Sequence, residues 1–387
     1  MLSRIAQSGP PPFDRRFAPT HVFDIARGGL ANLAGGAPLS FTRASVAWAA
    51  DASGVLQQYA VDQPRFVVSP VGIMSVLREP QRTNKCTNYN ANPNGSLTNL
   101  TKGGDAAATL TEVDDSAALA AAGLSAVCSS GKVFKLDNSA GSSGAYVIVG
   151  GTTGNLNKHS VSVWARMTGT QSTGNNLGMS GGTVGNVQIT SAAYTRYTVQ
   201  NLTPGITSSG LAIVVNQGAV IYFILNQLEE GQHETSPIVV AGGSATRSRD
   251  NIFIPNFTIA AGEPTWMMID FVMPYQVLAS NRLNGTSSIG MEIATGSRVA
   301  RVWNSITLLA TANAYTANTR GKVAYAGDGT GRSLCMNGGT VASDSGTHSI
   351  GSLSHSHTLL QFTTTDDASS PMGYLHGFYR GTQRITN

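Results

Sequence analysis

The sequence predicts an all-β protein carrying two β-sandwich domains. Three observations lead there. Hydrophobic residues make up 41% of the 387 and charged residues only 12%, which supplies packed cores and excludes a disordered or coiled-coil chain. The 44 glycines are irregularly placed, which excludes a collagen repeat and suits many turns. Short apolar runs, several alternating with period two, are separated by clusters of Gly, Asn, Asp and Ser rather than by helical spacing.

Residues 1–40 read as an irregular N-terminal arm. Pro10, Pro11 and Pro12 favour an extended chain, and Phe13, Phe17 and Phe23 are apolar side chains available to a partner. Residues 41–95 read as a small hairpin-rich module, with a turn at Asp51-Ala52-Ser53-Gly54. Residues 96–248 read as the first sandwich. It opens on an Ala-rich stretch that predicts a short helix near 114–120. Strands follow at 133–136, 145–149 and 159–167, the last placing Val161, Val163, Ala165 and Met167 on one face. The runs 211–215 and 219–225 read as a hairpin about Asn216-Gln217-Gly218. Residues 249–387 read as the second sandwich, whose longest apolar strand spans 266–273.

Charge and cysteine content exclude further classes. Lys+Arg number 25 and Asp+Glu 21, a net charge of +4 without a basic block, so no nucleic-acid surface is expected. Cys86, Cys128 and Cys335 are odd in number and far apart, which argues against a disulfide framework or a zinc site. The N-terminus lacks the apolar core of a signal peptide, and polar residues interrupt the one long uncharged stretch, 211–228, so no membrane insertion is expected.

The motifs that suggest chemistry each have a plainer reading. Gly178-Met179-Ser180-Gly181-Gly182 matches a nucleophile elbow, but no helix follows. Gly327-Asp328-Gly329-Thr330-Gly331 resembles a phosphate loop, but a strand follows. His355 and His357 share one side of a strand without a convincing third ligand. No pair of carboxylates is nominated for hydrolysis, so no catalytic residue and no cofactor are expected; a loop calcium near Asp366 and Asp367 is the one alternative. For glycan binding the candidates are Trp303, Tyr325, Asp328, Arg332, Asn337 and Tyr374, aromatic rings for sugar faces and polar groups for hydroxyls. The competing reading of the rings is core packing.

Two segments resemble known proteins. Phe41-Thr42-Arg43-Ala44-Ser45, Asp51-Ala52-Ser53-Gly54-Val55-Leu56, Pro64-Arg65-Phe66 and the stretch ending Glu79-Pro80-Gln81-Arg82-Thr83-Asn84 resemble an opening module of tailed-phage fibre and virion-surface proteins. This sequence carries extra residues before Glu79. Gln227-Leu228-Glu229-Glu230-Gly231, with Thr235-Ser236-Pro237-Ile238 and Thr246-Arg247-Ser248-Arg249-Asp250, resembles the closing strand of the jelly-roll, carbohydrate-binding-module-like domain of the same proteins, and the block after 250 is similar to a concanavalin-like, lectin-like sandwich. The resemblance implies a virion fibre or spike subunit, trimeric, made in the host cytoplasm. It would attach through its N-terminal arm to other virion proteins and bind host surface polysaccharide. It implies structural roles for Arg43, Glu79, Arg82, Asn84, Glu229 and Arg247. A non-adhesive decoration or collar protein, and less so a polysaccharide depolymerase, remain as alternatives.

Overall fold

The structure is a computed structural model that describes residues 19–170, 174–181, 186–259, 263–273, 281–285, 289–293, 297–304, 307–328, 330–345, 353–359 and 373–382. It is almost wholly β. Among the described residues helix is confined to Ile25–Gly28 and Ser116–Ala121. The chain forms two compact units: Met1–Ala44 with Asp62–Pro80 and Arg249–Asn387, and Ser45–Val61 with Gln81–Ser248.

In the first unit, an eight-stranded sheet runs in the order Ala342–Asp344, Arg332–Met336, Arg320–Gly327, Thr265–Val272, Gly373–Gly381, Met74–Arg78, Arg65–Val68, and Pro19–Asp24 also pairs with Gly373–Gly381. A seven-stranded sheet runs Ser40–Thr42, Asn251–Ile259, Leu353–Leu359, Asn281–Gly285, Ile289–Ile293, Val299–Asn304, Thr307–Ala314. Both sheets feed one core. Met267, Ile269, Phe271, Val323 and Phe378 come from the first, and Ile252, Ile254, Phe257, Met291 and Val302 from the second. All eight residues of Thr265–Val272 are buried. Its other face, with Trp266 and Met268, packs with Ala324, Cys335 and Tyr379, which is why the strand reads as one apolar run instead of alternating.

The second unit is a jelly-roll sandwich. One sheet holds Thr195–Leu202, His159–Gly169, Ala219–Glu230, Lys132–Asp137 and Thr109–Asp114. The other holds Val187–Gln188, Asn176–Met179, Leu211–Val215, Ala145–Val149 and Leu100–Gly104. Val161, Val163, Ala165 and Met167 face the shared core, as their alternation predicts. The outer face of the first sheet is closed by the hairpin Ala47–Ala50/Leu56–Tyr59 and the short helix. Trp48, Leu56, Leu119 and Leu124 pack with Val133 and Ile224.

Three expectations change. The stretch 41–95 is divided between the units, because two-stranded hairpins bury too little to stand alone and each joins a larger sheet or covers one. Phe23, expected in an attachment arm, is buried opposite Phe378, since Pro19–Asp24 enters the sheet with Val22 and Phe23 in separate apolar clusters; Phe13 and Phe17 lie outside the described residues. Finally, Leu211–Val215 and Ala219–Glu230 are not a hairpin. Each pairs within a different sheet, so Asn216-Gln217-Gly218 is the corner where the chain crosses the sandwich.

Candidate functional site

That corner forms part of a cleft of about 620 Å³ in the second unit, lined by Ser139, Gly141, Ser143, Gly144, Thr170, Asn216, Gln217 and Gly218. Strand ends bring three loops together here. Gly218 N donates to Asn138 O (2.9 Å) and Thr170 N donates to Gly218 O (2.9 Å). Asn138 Nδ2 donates to Ser143 O (2.7 Å), and Asn216 N donates to Asn175 Oδ1 (2.8 Å). The glycines are needed: Gly218 has φ +77°, and a Cβ at Gly141 would lie 1.9 Å from Asn138 Oδ1. Hydroxyls and amides line a volume within the range of about 300–1,000 Å³ usual for small-ligand sites. The described lining residues offer hydroxyls, amides and backbone groups, which are hydrogen-bonding groups. The sequence signal was only a density of Ser, Gly and Asn, which reads as ordinary turns.

Asp105 braces one wall. Its Oδ1 accepts from Ala107 N (2.8 Å), and its Oδ2 accepts from Ser142 N and Ser143 N (both 2.7 Å). The Ala107 N–H, then those of Ser143 and Ser142, hold the carboxyl well below the usual carboxylate range. A folded value below the unfolded one means that this contribution is full above the ordinary carboxylate pKa of 3.8 and is lost as pH falls through the folded value. Denaturant titrations at decreasing pH should therefore show a shallower acid loss of stability in Asp105→Asn than in the unaltered chain. Coincident slopes would remove Asp105 from this role.

The six motif residues are all buried. In the first unit Arg43 Nη1 donates to Asp250 Oδ1 (3.1 Å), and Arg65 bridges Glu79 and Asp250 through its two terminal nitrogens. Glu79 N also donates to Asp250 Oδ2 (2.8 Å). In the second unit Arg82–Asn84 pairs antiparallel with Ala245–Arg247, so the two stretches that carry the sequence resemblance lie side by side. Glu229 accepts from Thr235 N (2.9 Å), Thr235 Oγ1 (2.6 Å) and Gln227 Nε2 (2.7 Å). Burial nonetheless leaves its carboxyl raised above the ordinary value.

Of the glycan candidates, Tyr325, Asp328 and Arg332 are buried, Tyr374 is half-buried and Asn337 is exposed. Tyr325 is fully buried in the core, on the inward side of Arg320–Gly327. Arg332 is buried and its Nε donates to Asp344 Oδ1 (3.0 Å). Asp328 Oδ1 accepts from Thr330 N (2.7 Å) and Gly331 N (3.1 Å) and so closes a strand-to-strand turn. Asn337 is exposed at φ 51°, with its Oδ1 accepting from Lys322 N (2.7 Å). Tyr374 is half-buried in Gly373–Gly381, and Trp303 lies in Val299–Asn304 opposite Gly290 and Leu308. Strand parity sent Tyr325 inward, and parity relative to a core is not visible until the partner sheet is known. Among the described residues no group of three or more His, Cys, Asp or Glu is placed to hold a metal ion; Asp366 and Asp367 lie outside them. No helix among them is long and apolar enough to cross a membrane.

No protein-family model matches the chain, and no curated protein does. Among solved structures, the heptameric SAP-like pentraxin of Limulus polyphemus is 10% identical over 35% of this chain and 70% of its own, with a TM-score of 0.27. Domain 4 of an extracellular arabinanase from Geobacillus stearothermophilus, solved with arabinotriose, is 14% identical over 40% of this chain and 79% of its own, with a TM-score of 0.28. Trypanosoma rangeli sialidase in complex with sialic acid is 9% identical over 73% of this chain and 52% of its own, with a TM-score of 0.27. With TM-scores of that size these likenesses carry no argument about what the chain does, and its all-β sandwich class rests on the sheets themselves.

Proposed function

We propose that this chain is a glycan-binding subunit of a virion surface, with the loop cleft of the second unit as its binding site. The cleft's lining carries the binding half of this reading. Hydroxyls of Ser139, Ser143 and Thr170 and amides of Asn216 and Gln217 can donate to and accept from sugar hydroxyls. The described lining offers hydrogen-bonding groups, and on this reading the site binds without cleaving. The virion half is supported by the motif resemblance around Arg43, Arg82-Thr83-Asn84 and Gln227–Gly231. On this reading the chain assembles with itself, as a trimer, and is held to other virion proteins by the stretch before residue 19. Its ligand is host surface polysaccharide.

The test is binding of the purified chain to an array of bacterial surface polysaccharides, with oligomer mass measured on the same sample. Saturable binding is expected. The double variant Asn216→Ala/Gln217→Ala should weaken it about 5- to 150-fold, from two hydrogen bonds of about 0.5–1.5 kcal/mol each, with unchanged melting. A folded chain that binds nothing, or a double variant that binds as well as the original, would sink the cleft assignment. Binding by a monomer would sink the trimer.

A further inference from the structure

The outer face of the eight-stranded sheet holds an arrangement that the glycan reading does not use. Ser69 follows the strand Arg65–Val68 and opens the turn into Met74–Arg78. The turn is tight: Ser69 N donates to Ile73 O (2.9 Å), Gly72 N donates to Ser69 O (2.9 Å), and Gly72 takes φ +77°. His376 sits where Gly373–Gly381 bulges against Thr265–Val272. The register passes from Asp270–Gly377 to Phe271–Leu375, leaving His376 as the extra residue and turning its ring toward Asp270. Asp270 lies on the neighbouring strand.

Three side chains from three separate strand regions form one hydrogen-bonded line. His376 Nε2 is 3.0 Å from Ser69 Oγ, and His376 Nδ1 is 3.2 Å from Asp270 Oδ1. All three residues are at most 4% exposed. Asp270 is also gripped by Arg320, whose Nε lies 2.9 and 3.1 Å from the two carboxylate oxygens, and Lys322 Nζ is 3.8 Å away. Despite burial, hydrogen bonds from His376 and Arg320 and the Arg320 charge hold the Asp270 carboxyl below the ordinary value. A carboxylate only accepts, so it fixes the proton of neutral His376 on Nδ1, leaves the Nε2 lone pair facing Ser69, and makes the serine hydroxyl the donor.

We propose that Ser69, His376 and Asp270 are a nucleophile, its general base and the residue that positions that base, and that they hydrolyse esters of small acyl groups. The geometry matches the roles by which such triads are recognised on unrelated folds. In the first half-reaction Ser69 Oγ bonds to the ester carbonyl carbon and its proton passes to His376 Nε2. The carbon–oxygen bond to the alcohol then breaks, and the alcohol leaves with that proton. In the second half-reaction water attacks the acyl-serine with His376 again taking the proton, which releases the carboxylic acid and restores Ser69. Pro70 and Gly72 are exposed while Ser69 is nearly covered, which favours a small acyl group.

The test uses the full chain with a fluorophosphonate probe and intact-mass readout, alongside hydrolysis of p-nitrophenyl acetate. Labelling forms the Ser69 Oγ–phosphorus bond, breaks the phosphorus–fluorine bond and delivers the serine proton to His376. One adduct per chain is expected, mapping to the Ser69 peptide and absent in Ser69→Ala. His376→Gln should slow labelling about 10²-fold or more at unchanged melting. If His376→Gln does not fold, the pH profile of the unaltered chain decides. The rate must rise with pH, as attack assisted by a general base requires, and Asp270→Asn must displace that profile. A folded chain without a Ser69 adduct, a His376→Gln variant labelled at the original rate, or a flat pH profile would each overturn the proposal.

Discussion

Asp250→Ala is expected to destabilise the first unit by about 3–5 kcal/mol, the usual consequence of removing one partner from a buried ion pair. Asp250 accepts from Arg43, from Arg65 and from Glu79 N, and the side chains of Arg43, Arg65, Glu79 and Asp250 have no exposed surface. Truncation would take the Asp250 carboxylate away from two buried guanidiniums, Arg43 and Arg65. The network as a whole adds less than this loss suggests, because taking the ions out of water offsets much of their attraction. Its larger effect is on pairing. Arg43 follows Ser40–Thr42, Arg65 begins its strand, Glu79 follows Met74–Arg78, and Asp250 precedes Asn251–Ile259, so the charges tie together four places where strands begin or end. The measurement is amide hydrogen exchange along Asn251–Ile259 and Arg65–Val68, which isolates this unit in a chain whose global unfolding need not be two-state. Unchanged protection in Asp250→Ala would refute the argument. Replacing Arg43, Arg65, Glu79 and Asp250 together by apolar residues of similar volume should cost far less than the single truncation.

Asn84→Ala is expected to cost the second unit about 2–6 kcal/mol, from two buried donors that lose their amide acceptor at about 1–3 kcal/mol each. Asn84 uses its whole amide. Oδ1 accepts from Cys86 N (3.0 Å) and Leu228 N (3.1 Å), while Nδ2 donates to Asn226 O (2.9 Å) and Ile238 O (3.1 Å). Asn90 Nδ2 reaches the same two carbonyls at 3.0 and 3.1 Å, so those acceptors keep a partner after truncation, whereas Cys86 N loses its acceptor and Leu228 N keeps the weak Cys86 sulfur. The near-isosteric Asn84→Asp should be at least as damaging, because a carboxylate oxygen would face the two carbonyls at a fully buried position. Exchange at the Cys86 and Leu228 amides is the direct readout. Protection equal to that of the unaltered chain would show that other groups had taken over the bonds.

Much of the fold was legible in local pattern. Period-two alternation put Val161, Val163, Ala165 and Met167 on one inner face, and the aspartates before an Ala-rich stretch marked the helix Ser116–Ala121. The cleft was not legible, because Ser139, Gly141 and Asn216-Gln217-Gly218 look like any turns until strand ends bring them together. The Ser69–His376–Asp270 line was invisible for a stronger reason: its members come from strand regions about 200 and 100 residues apart, and the motif that resembled a nucleophile elbow was elsewhere. Ser180 of that motif accepts from Gly210 N (3.0 Å) and serves the turn.

The sequence by itself determined many of the longer strands and that this chain is all-β, because side-chain alternation and turn chemistry act over a few residues; it did not mark Pro19–Asp24 as a strand or carry the run from Ala219 as far as Glu230. Only the tertiary structure decided which strands are partners. It carried Pro19–Asp24 and Arg65–Arg78 into a sheet with residues beyond 264, and made a sandwich crossing of what local pattern reads as a hairpin. Register and partner choice depend on burying whole faces against each other across hundreds of residues, and no local window contains that information.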